Sequence, residues 1–188
     1  QIIRAFVRIA PQHSYHLFFN SYTRARLPVL PPTCEIHGFR YPNKVFNILQ
    51  AGGLVRWDQL VKADVFFIPN PRLVPLGEKT PLICVAHDIA FEHFPEFLDF
   101  KRRMWHRFMQ PRKLFKRADR IIAVSEHTKY DLVHTYHLFP EKIIVVHSGV
   151  SSADQQSSAQ AIRIARERYA LPSQYILFLG ALEPRKNI

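Results

Sequence analysis

The feature that most constrains this chain is a series of short apolar segments that alternate with helix-like segments. Short, near-continuous apolar runs are typical of strands that are buried on both faces of a parallel sheet. Strands that alternate with helices favour an α/β fold of the doubly wound type. The predicted strands are residues 14–19, 64–69, 81–86, 120–124, 142–146 and 175–179.

Helical patterns fill most of the intervals between these runs. Ser125 is a suitable N-cap for one of them, because its side chain can accept a hydrogen bond from the first turn. Gly52 and Gly53 interrupt another, and Pro111 is expected to kink or split a third. The predicted helices are residues 3–9, 47–62, 97–118, 125–136 and 162–169.

A polar, serine-rich stretch at residues 148–158 predicts a linker between two domains. Residues 1–150 then form a first domain. Residues 151–188 form the linker and the beginning of a second domain, whose first strand is predicted at 175–179.

Composition limits the cellular compartment and the binding partners that are expected for this chain. The apolar runs are far shorter than the roughly 20 residues that a membrane-spanning helix needs. Two cysteines do not make a disulfide framework, and Cys84 lies in an apolar run, which favours a buried reduced thiol and a cytoplasmic protein. The net charge of +11 indicates attraction to nucleic acid, an anionic membrane or phosphorylated substrates, without distinguishing them.

The segment after the last predicted strand has the features of a diphosphate site. Gly180 lets the backbone turn close to a ligand at the carboxyl end of the strand. Arg185 can grip two phosphate oxygens at once, and Lys186 supplies a mobile charge. The alternative for an isolated Arg-Lys pair is a solvated turn.

His87 and Asp88 follow the predicted strand 81–86, so they are expected at the edge of the sheet where ligands bind. An imidazole there can exchange hydrogen bonds with a sugar hydroxyl at neutral pH. The alternative is that Asp88 only turns the chain. Ser125 begins a helix whose unpaired N–H groups face the same edge, and it either caps that helix or contacts substrate.

Four segments in order resemble glycosyltransferase family 4. They are the strand with His-Asp at 81–95, the strand-to-helix corner at 117–132, the strand with His147-Ser148 at 145–150, where relatives have Pro-Asn, and Leu-Glu-Pro-Arg-Lys-Asn-Ile at 182–188.

The resemblance implies a GT-B fold, in which two Rossmann-like domains face each other across a cleft. It implies a retaining transfer from a nucleotide-diphosphate sugar to a saccharide or lipid-linked acceptor, without a cofactor or metal. Arg185 and Lys186 would contact the donor phosphates and His87 the transferred sugar. Gly180, Glu183, Asp88 and Ser125 complete the predicted binding residues. The Glu-Pro-Arg-Lys-Asn form of the last motif is similar to that of bacterial mannosyltransferases, which favours GDP-mannose as donor.

The resemblance also implies that parts of the family's pattern are missing. Its first strand and Gly-rich loop are expected before residue 1, and its later pair of glutamates after residue 188. The chain is therefore expected to be an incomplete portion that binds donor weakly and transfers no sugar alone.

Residues 101–120 form a strongly basic segment in which Met104, Trp105, Phe108 and Phe115 interleave with lysine and arginine. One interpretation is an amphipathic helix with its apolar side on the sheet. Another is peripheral attachment to an anionic membrane at its inner face. Nucleic-acid binding is not expected, because no recognition signature accompanies the charge.

Two alternatives from other functional classes remain open. One is a non-catalytic basic binding module, and another is a sugar epimerase with the same two-domain fold. His13/His16 and His134/His137 have a His-x-x-His spacing, but no carboxylate or cysteine partner is evident in the sequence. They are interpreted as surface or packing histidines, and no metal site is predicted.

Overall fold

The computed structural model describes residues 2–21, 29–54, 56–149 and 158–180, together with residues 182 and 186. It has the expected α/β architecture of parallel sheets with flanking helices. The strands are β1 (Tyr15–Asn20), β2 (Cys34–Phe39), β3 (Phe66–Ile68), β4 (Leu82–Ala86), β5 (Arg120–Ala123) and β6 (Ile143–Val145). The helices are α1 (Ile2–Ile9), α2 (Asn43–Ala51), α3 (Trp57–Leu60), α4 (Ala90–His93), α5 (Phe100–Met109), α6 (Pro111–Arg117), α7 (Glu126–Tyr136) and α8 (Ala159–Arg168), with short 3₁₀ turns at Pro95–Phe97 and Pro140–Lys142.

The central sheet contains β3 to β6 in that spatial order, and every neighbouring pair is parallel. Strands β3 and β4 are largely buried, as their near-continuous apolar runs predicted, whereas Arg120 in β5 and Ile144 in β6 are exposed. Cys84 in β4 is fully buried, which confirms its interpretation as a small core residue. Phe115 from α6, together with Leu132 and Tyr136 from α7, is among the core residues that pack with the sheet.

Strands β1 and β2 form a second, parallel pair. An aromatic cluster packs this pair against the following helices: the ring centroid of Trp57 lies 4.6 Å from that of Phe18, 5.7 Å from Phe39 and 5.9 Å from Phe46. The sequence did not predict β2. Its polar residues Glu35 and His37 interrupt the apolar pattern, so it lacks the signal of a strand buried on both faces.

The long basic helical pattern is split where Pro111 predicted. Gln110 ends α5 in the left-handed conformation, with φ 47°, and Pro111 begins α6. A proline disfavours helical geometry in the residue before it and provides no N–H for the helix ladder. The break therefore turns the chain between two helices instead of kinking one.

Charged side chains brace the amino end of the central sheet. Asp119 accepts a hydrogen bond from the backbone N–H of Leu82 at 2.8 Å. Arg117 donates to the carbonyl oxygens of Gly77, at 2.6 Å, and Thr80. These contacts fix the start of β4 beside the start of β5.

A second brace at that end involves Asp58 on α3. Its Oδ2 accepts from Arg56 at 2.6 Å and from the N–H of Gly77 and the hydroxyl of Thr80, each at 3.1 Å. The hydrogen bond from Arg56 holds the pKa of Asp58 below its ordinary value. The carboxylate is therefore used to hold the loop before β4.

The predicted strand at 175–179 is wrong. The segment has no strand partner among the described residues, and Ile176 and Leu179 are almost fully exposed. A strand requires a neighbour that accepts and donates its backbone hydrogen bonds, so an apolar run without one does not form a sheet. The predicted domain boundary near residue 150 remains a prediction, since residues 150–157 lie outside the described residues.

Candidate functional site

The carboxyl ends of β3, β4, β5 and β6 meet at one edge, because the four strands are parallel. Ligands of open α/β sheets bind at this edge. Pro69 follows β3, His87 follows β4, Val124 and Ser125 follow β5, and His147 follows β6 by two residues. Hydrogen bonds join each of these loops to its neighbour, and they define the candidate site.

His87 bridges the first two loops. Its Nε2 lies 3.0 Å from the carbonyl oxygen of Pro69. A carbonyl only accepts, so Nε2 carries the proton and, in a neutral ring, Nδ1 is an acceptor. The side chain is exposed, and Nδ1 has no hydrogen-bond partner in the described part of the chain. His87 thus lies at the predicted edge with one ring nitrogen hydrogen-bonded to a neighbouring loop, and its role toward a sugar hydroxyl stays a prediction.

Asp88 has a local role in the structure. Its Oδ1 accepts from the backbone N–H of Ala90 at 3.0 Å, at the start of α4. This is the turn-forming alternative that the sequence left open. The hydrogen bond uses one carboxylate oxygen.

Ser125 caps α7, as its position predicted. Its Oγ accepts from the backbone N–H of Thr128 at 3.1 Å. The buried Thr128 hydroxyl lies 3.1 Å from the carbonyl oxygen of His87 and must donate to it. Since the two hydroxyl oxygens are 3.0 Å apart, Ser125 in turn donates to Thr128. We call Ser125, Thr128 and His87 the hydroxyl relay, and it fixes the His87 loop against α7.

His147 completes the edge. Its Nδ1 lies 3.3 Å from the carbonyl oxygen of Val124, so this ring also donates one hydrogen bond to a neighbouring loop. Its side chain is exposed. The sequence placed His147 only as a replacement in a family motif, and its bridging role requires the order of the strands.

The predicted phosphate-binding segment is only partly described. Glu183 and Arg185 lie outside the described residues. Gly180 and Lys186 are described, and the Lys186 ammonium lies 5.7 Å from the centre of the Phe178 ring. In the part of the chain that the structure describes, no hydrogen bond, ion pair or ring contact joins this segment to the carboxyl edge. The phosphate role of Arg185 and Lys186 therefore stays a prediction.

The basic segment borders an open groove of about 790 Å³. Arg103, Arg107 and Lys113 line it beside apolar side chains that include Phe100 and Met104. The amphipathic interpretation is only partly correct, since some apolar residues of α5 and α6 face the core and others face solvent. Met109 and Phe115 are buried, whereas Phe100, Met104, Trp105 and Phe108 are exposed.

The two His-x-x-His pairs have different surroundings. His134 remains a local packing residue, with its Nδ1 2.8 Å from the carbonyl oxygen of Tyr130. The expectation that His16 has no carboxylate partner is wrong, because Glu35 Oε2 lies 3.4 Å from its Nδ1. The partner comes from the neighbouring strand, which residue spacing within one strand does not reveal.

Within the described residues, no helix combines the length and the apolar character needed to cross a bilayer.

The sequence of the chain is similar to those of known proteins. The model of the family described as Glycosyltransferase Family 4 matches residues 3–154. The chain is 29% identical over 115 residues to the Serotype-specific mannosyltransferase WbdA of Escherichia coli, an alignment that covers 56% of this chain and 13% of that protein. It is 36% identical over 76 residues to the D-inositol 3-phosphate glycosyltransferase of Streptomyces scabiei (strain 87.22), covering 39% of this chain and 17% of that protein. The chain thus spans a small part of the length of these relatives.

Parallel sheets with flanking helices define a Rossmann-like α/β domain. The family match covers most of the chain and narrows that class. The chain belongs to Glycosyltransferase Family 4.

Proposed function

We propose that this chain forms the acceptor-side part of an enzyme that transfers a sugar from a nucleoside-diphosphate sugar to a saccharide or lipid-linked acceptor. The observation that carries the proposal is His87, which lies at the carboxyl edge with one ring nitrogen held by Pro69 and the other available. Family membership supports the reaction class. The likeness to a mannosyltransferase supports a mannosyl donor, and GDP-mannose is the donor we propose.

In this mechanism His87 lines the transferred sugar and accepts a hydrogen bond from one of its hydroxyls through Nδ1. The hydroxyl relay keeps the imidazole in position. Arg185 and Lys186 compensate the charge that develops on the diphosphate as the glycosidic bond breaks. The acceptor hydroxyl attacks from the face that the diphosphate leaves, so the anomeric configuration is retained.

The test compares His87→Ala with His134→Ala in the whole protein, using GDP-mannose and an acceptor mixture. We expect kcat/KM to fall about 100-fold for His87→Ala, because a positioned hydrogen bond to the reacting sugar is lost. His134→Ala is the matched control, since its ring is bonded within its own helix. Unchanged turnover in His87→Ala contradicts the assignment.

The phosphate assignment has a separate test. Arg185→Ala should raise the KM for the donor and lower kcat, and an unchanged profile removes Arg185 from the site. The anomeric configuration of the product, read by NMR, checks retention. Conversion of the donor sugar without any acceptor would favour the epimerase alternative.

We further propose that the groove beside α5 and α6 attaches the protein peripherally to the inner face of an anionic membrane, where lipid-linked acceptors are presented. The supporting observation is that the exposed ring of Phe100 lines the groove together with Arg103 and Arg107. Aromatic and cationic side chains together suit the membrane interface. A non-catalytic basic module would bind anions through charge alone.

A charge-matched pair of variants tests this attachment. Arg103→Gln/Arg107→Gln/Lys113→Gln removes three charges from the groove. We expect binding to anionic vesicles to weaken roughly 100-fold, at about 1 kcal/mol per cation near the surface. The control removes three exposed cations elsewhere, Arg4, Arg8 and Arg40. Equal losses in both variants, or equally tight salt-dependent binding to duplex DNA, contradict a membrane site in the groove.

A further inference from the structure

We propose that His16, Glu35 and His37 form a zinc-binding site that joins β1 to β2. The register of the parallel pair sets His16 directly beside Glu35. His37 follows Glu35 by two positions in β2, so alternation brings it to the same face of the strand. Pairing of the strands thus collects two imidazoles and a carboxylate that are distant in sequence.

The distances between the three groups fit one ion. His16 Nδ1 lies 3.0 Å from His37 Nε2 and 3.4 Å from Glu35 Oε2, and His37 Nε2 lies 3.7 Å from Glu35 Oε1. A tetrahedral zinc ion with bonds of about 2.0–2.1 Å separates its ligand atoms by roughly 3.3 Å. An ion placed among the three groups would therefore need only small side-chain adjustments.

The donor set and the surroundings favour zinc over a hard cation. Imidazole nitrogens suit Zn²⁺, whereas Mg²⁺ and Ca²⁺ prefer oxygen ligands. Both imidazoles are mostly buried, and the ring of Phe18 stacks on His37 at 4.9 Å. Glu35 is largely exposed, which gives an ion a path from solvent and leaves a fourth position for water.

The position of the site indicates that a bound ion would tie the two strands together. His16 and Glu35 each follow the first residue of their strand, so the ion would fix the starting end of the β1–β2 pair. At the other end, the Asn20 side chain exchanges two hydrogen bonds with the backbone of Tyr41. Zinc that binds only the folded state would stabilise it by mass action. At a free zinc concentration of 100 times the Kd, the unfolding equilibrium would shift toward the folded state by about 100-fold.

The experiment is a titration of the metal-free protein with Zn²⁺ alone, followed by competition with a chromophoric chelator and by thermal unfolding. Replacing Zn²⁺ by Co²⁺ adds a visible absorption band that reports tetrahedral coordination. We expect one equivalent to bind and the unfolding temperature to rise. His37→Gln should weaken binding by about 100-fold or more, since even partners outside the coordination sphere affect metal affinity by about 10- to 100-fold.

Two further variants keep the test decisive. Glu35→Gln changes an exposed side chain, so it should fold normally and still weaken zinc binding at least about 10-fold. His13→Gln changes an exposed histidine near His16 that is not in the cluster, and it should bind zinc like the parent. Equal affinity in the parent and in Glu35→Gln and His37→Gln overturns the site. An absence of binding at micromolar zinc also overturns it and leaves the three groups as a hydrogen-bonded cluster.

Discussion

The hydroxyl relay makes a quantitative prediction about how the His87 loop is held. Ser125→Ala removes the cap of α7 and the hydroxyl that donates to Thr128. Thr128→Val keeps the shape of the side chain but removes the donor to the His87 carbonyl. Each change therefore deletes the contact between the two hydroxyls as well as one contact of its own.

The magnitudes follow from those contacts. Loss of the cap costs about 1 kcal/mol, within a range of about 0.5–2 kcal/mol. Loss of the hydrogen bond to the His87 carbonyl costs about 1 kcal/mol, within a range of about 0.5–1.5 kcal/mol. Because both variants lose the shared contact, the double variant should be less destabilised than the sum, by about 0.5–1 kcal/mol.

The assay is urea unfolding of the parent, both single variants and the double variant, followed by far-UV circular dichroism with a common m value. Thr128→Ser, which retains the hydroxyl, is the control for the methyl group. Strict additivity of the free energies of unfolding would refute the relay. A Thr128→Val variant as stable as the parent would refute the hydrogen bond to the His87 loop.

Three other outcomes test the fold. Asp58→Asn should destabilise the protein at neutral pH, and the difference from the parent should shrink in acid. The hydrogen bond from Arg56 lowers the pKa of Asp58 in the folded state, so the carboxylate contributes stability above its ordinary pKa of about 4, and this stability is lost as the pH falls through the folded value. Urea titrations at several pH values measure the difference in the free energy of unfolding, and a difference that stays constant with pH contradicts the prediction. Burial raises the pKa of Cys84 to about 12, so this thiol should react with a disulfide reagent only after unfolding, as mass spectrometry of labelled native protein would show. Phe115→Ala should lower the free energy of unfolding by about 3–5 kcal/mol, whereas Phe139→Ala, at an exposed ring, should lower it by less than about 0.5 kcal/mol. Similar losses in the two variants would contradict the assignment of Phe115 to the core.

The elements of the fold that could be predicted from the sequence are those marked by a continuous run of apolar residues. Strands β3 and β4 lie mostly in the core, and their composition is apolar along the whole run. Strand β2 carries Glu35 and His37, and no such run marks it. Residues 175–179 carry the apolar signal without a strand partner among the described residues, because composition reports burial tendency and not pairing.

The same distinction applies to the sites. His87 could be placed at the carboxyl edge from the sequence, because it directly follows a recognisable parallel strand. Its bond to Pro69 and its support by Thr128 depend on which strands are neighbours, so the sequence could not reveal them. The cluster at His16 depends further on the register of β1 against β2, which a shift of one residue would destroy.

The two ends of the central sheet use their polar groups differently, and this difference favours the carboxyl end as the site of chemistry. At the amino end, Asp58 and Asp119 accept bonds from the backbone that they brace. At the carboxyl end, His87 and His147 each commit one ring nitrogen to a neighbouring carbonyl. Since an imidazole has two nitrogens, such a residue can brace a loop and still present a donor or acceptor to a ligand, which a carboxylate already bound to several donors does less readily. A diphosphate bound at this edge would gain charge compensation from cations on another segment of the protein, the role that we propose for Arg185 and Lys186.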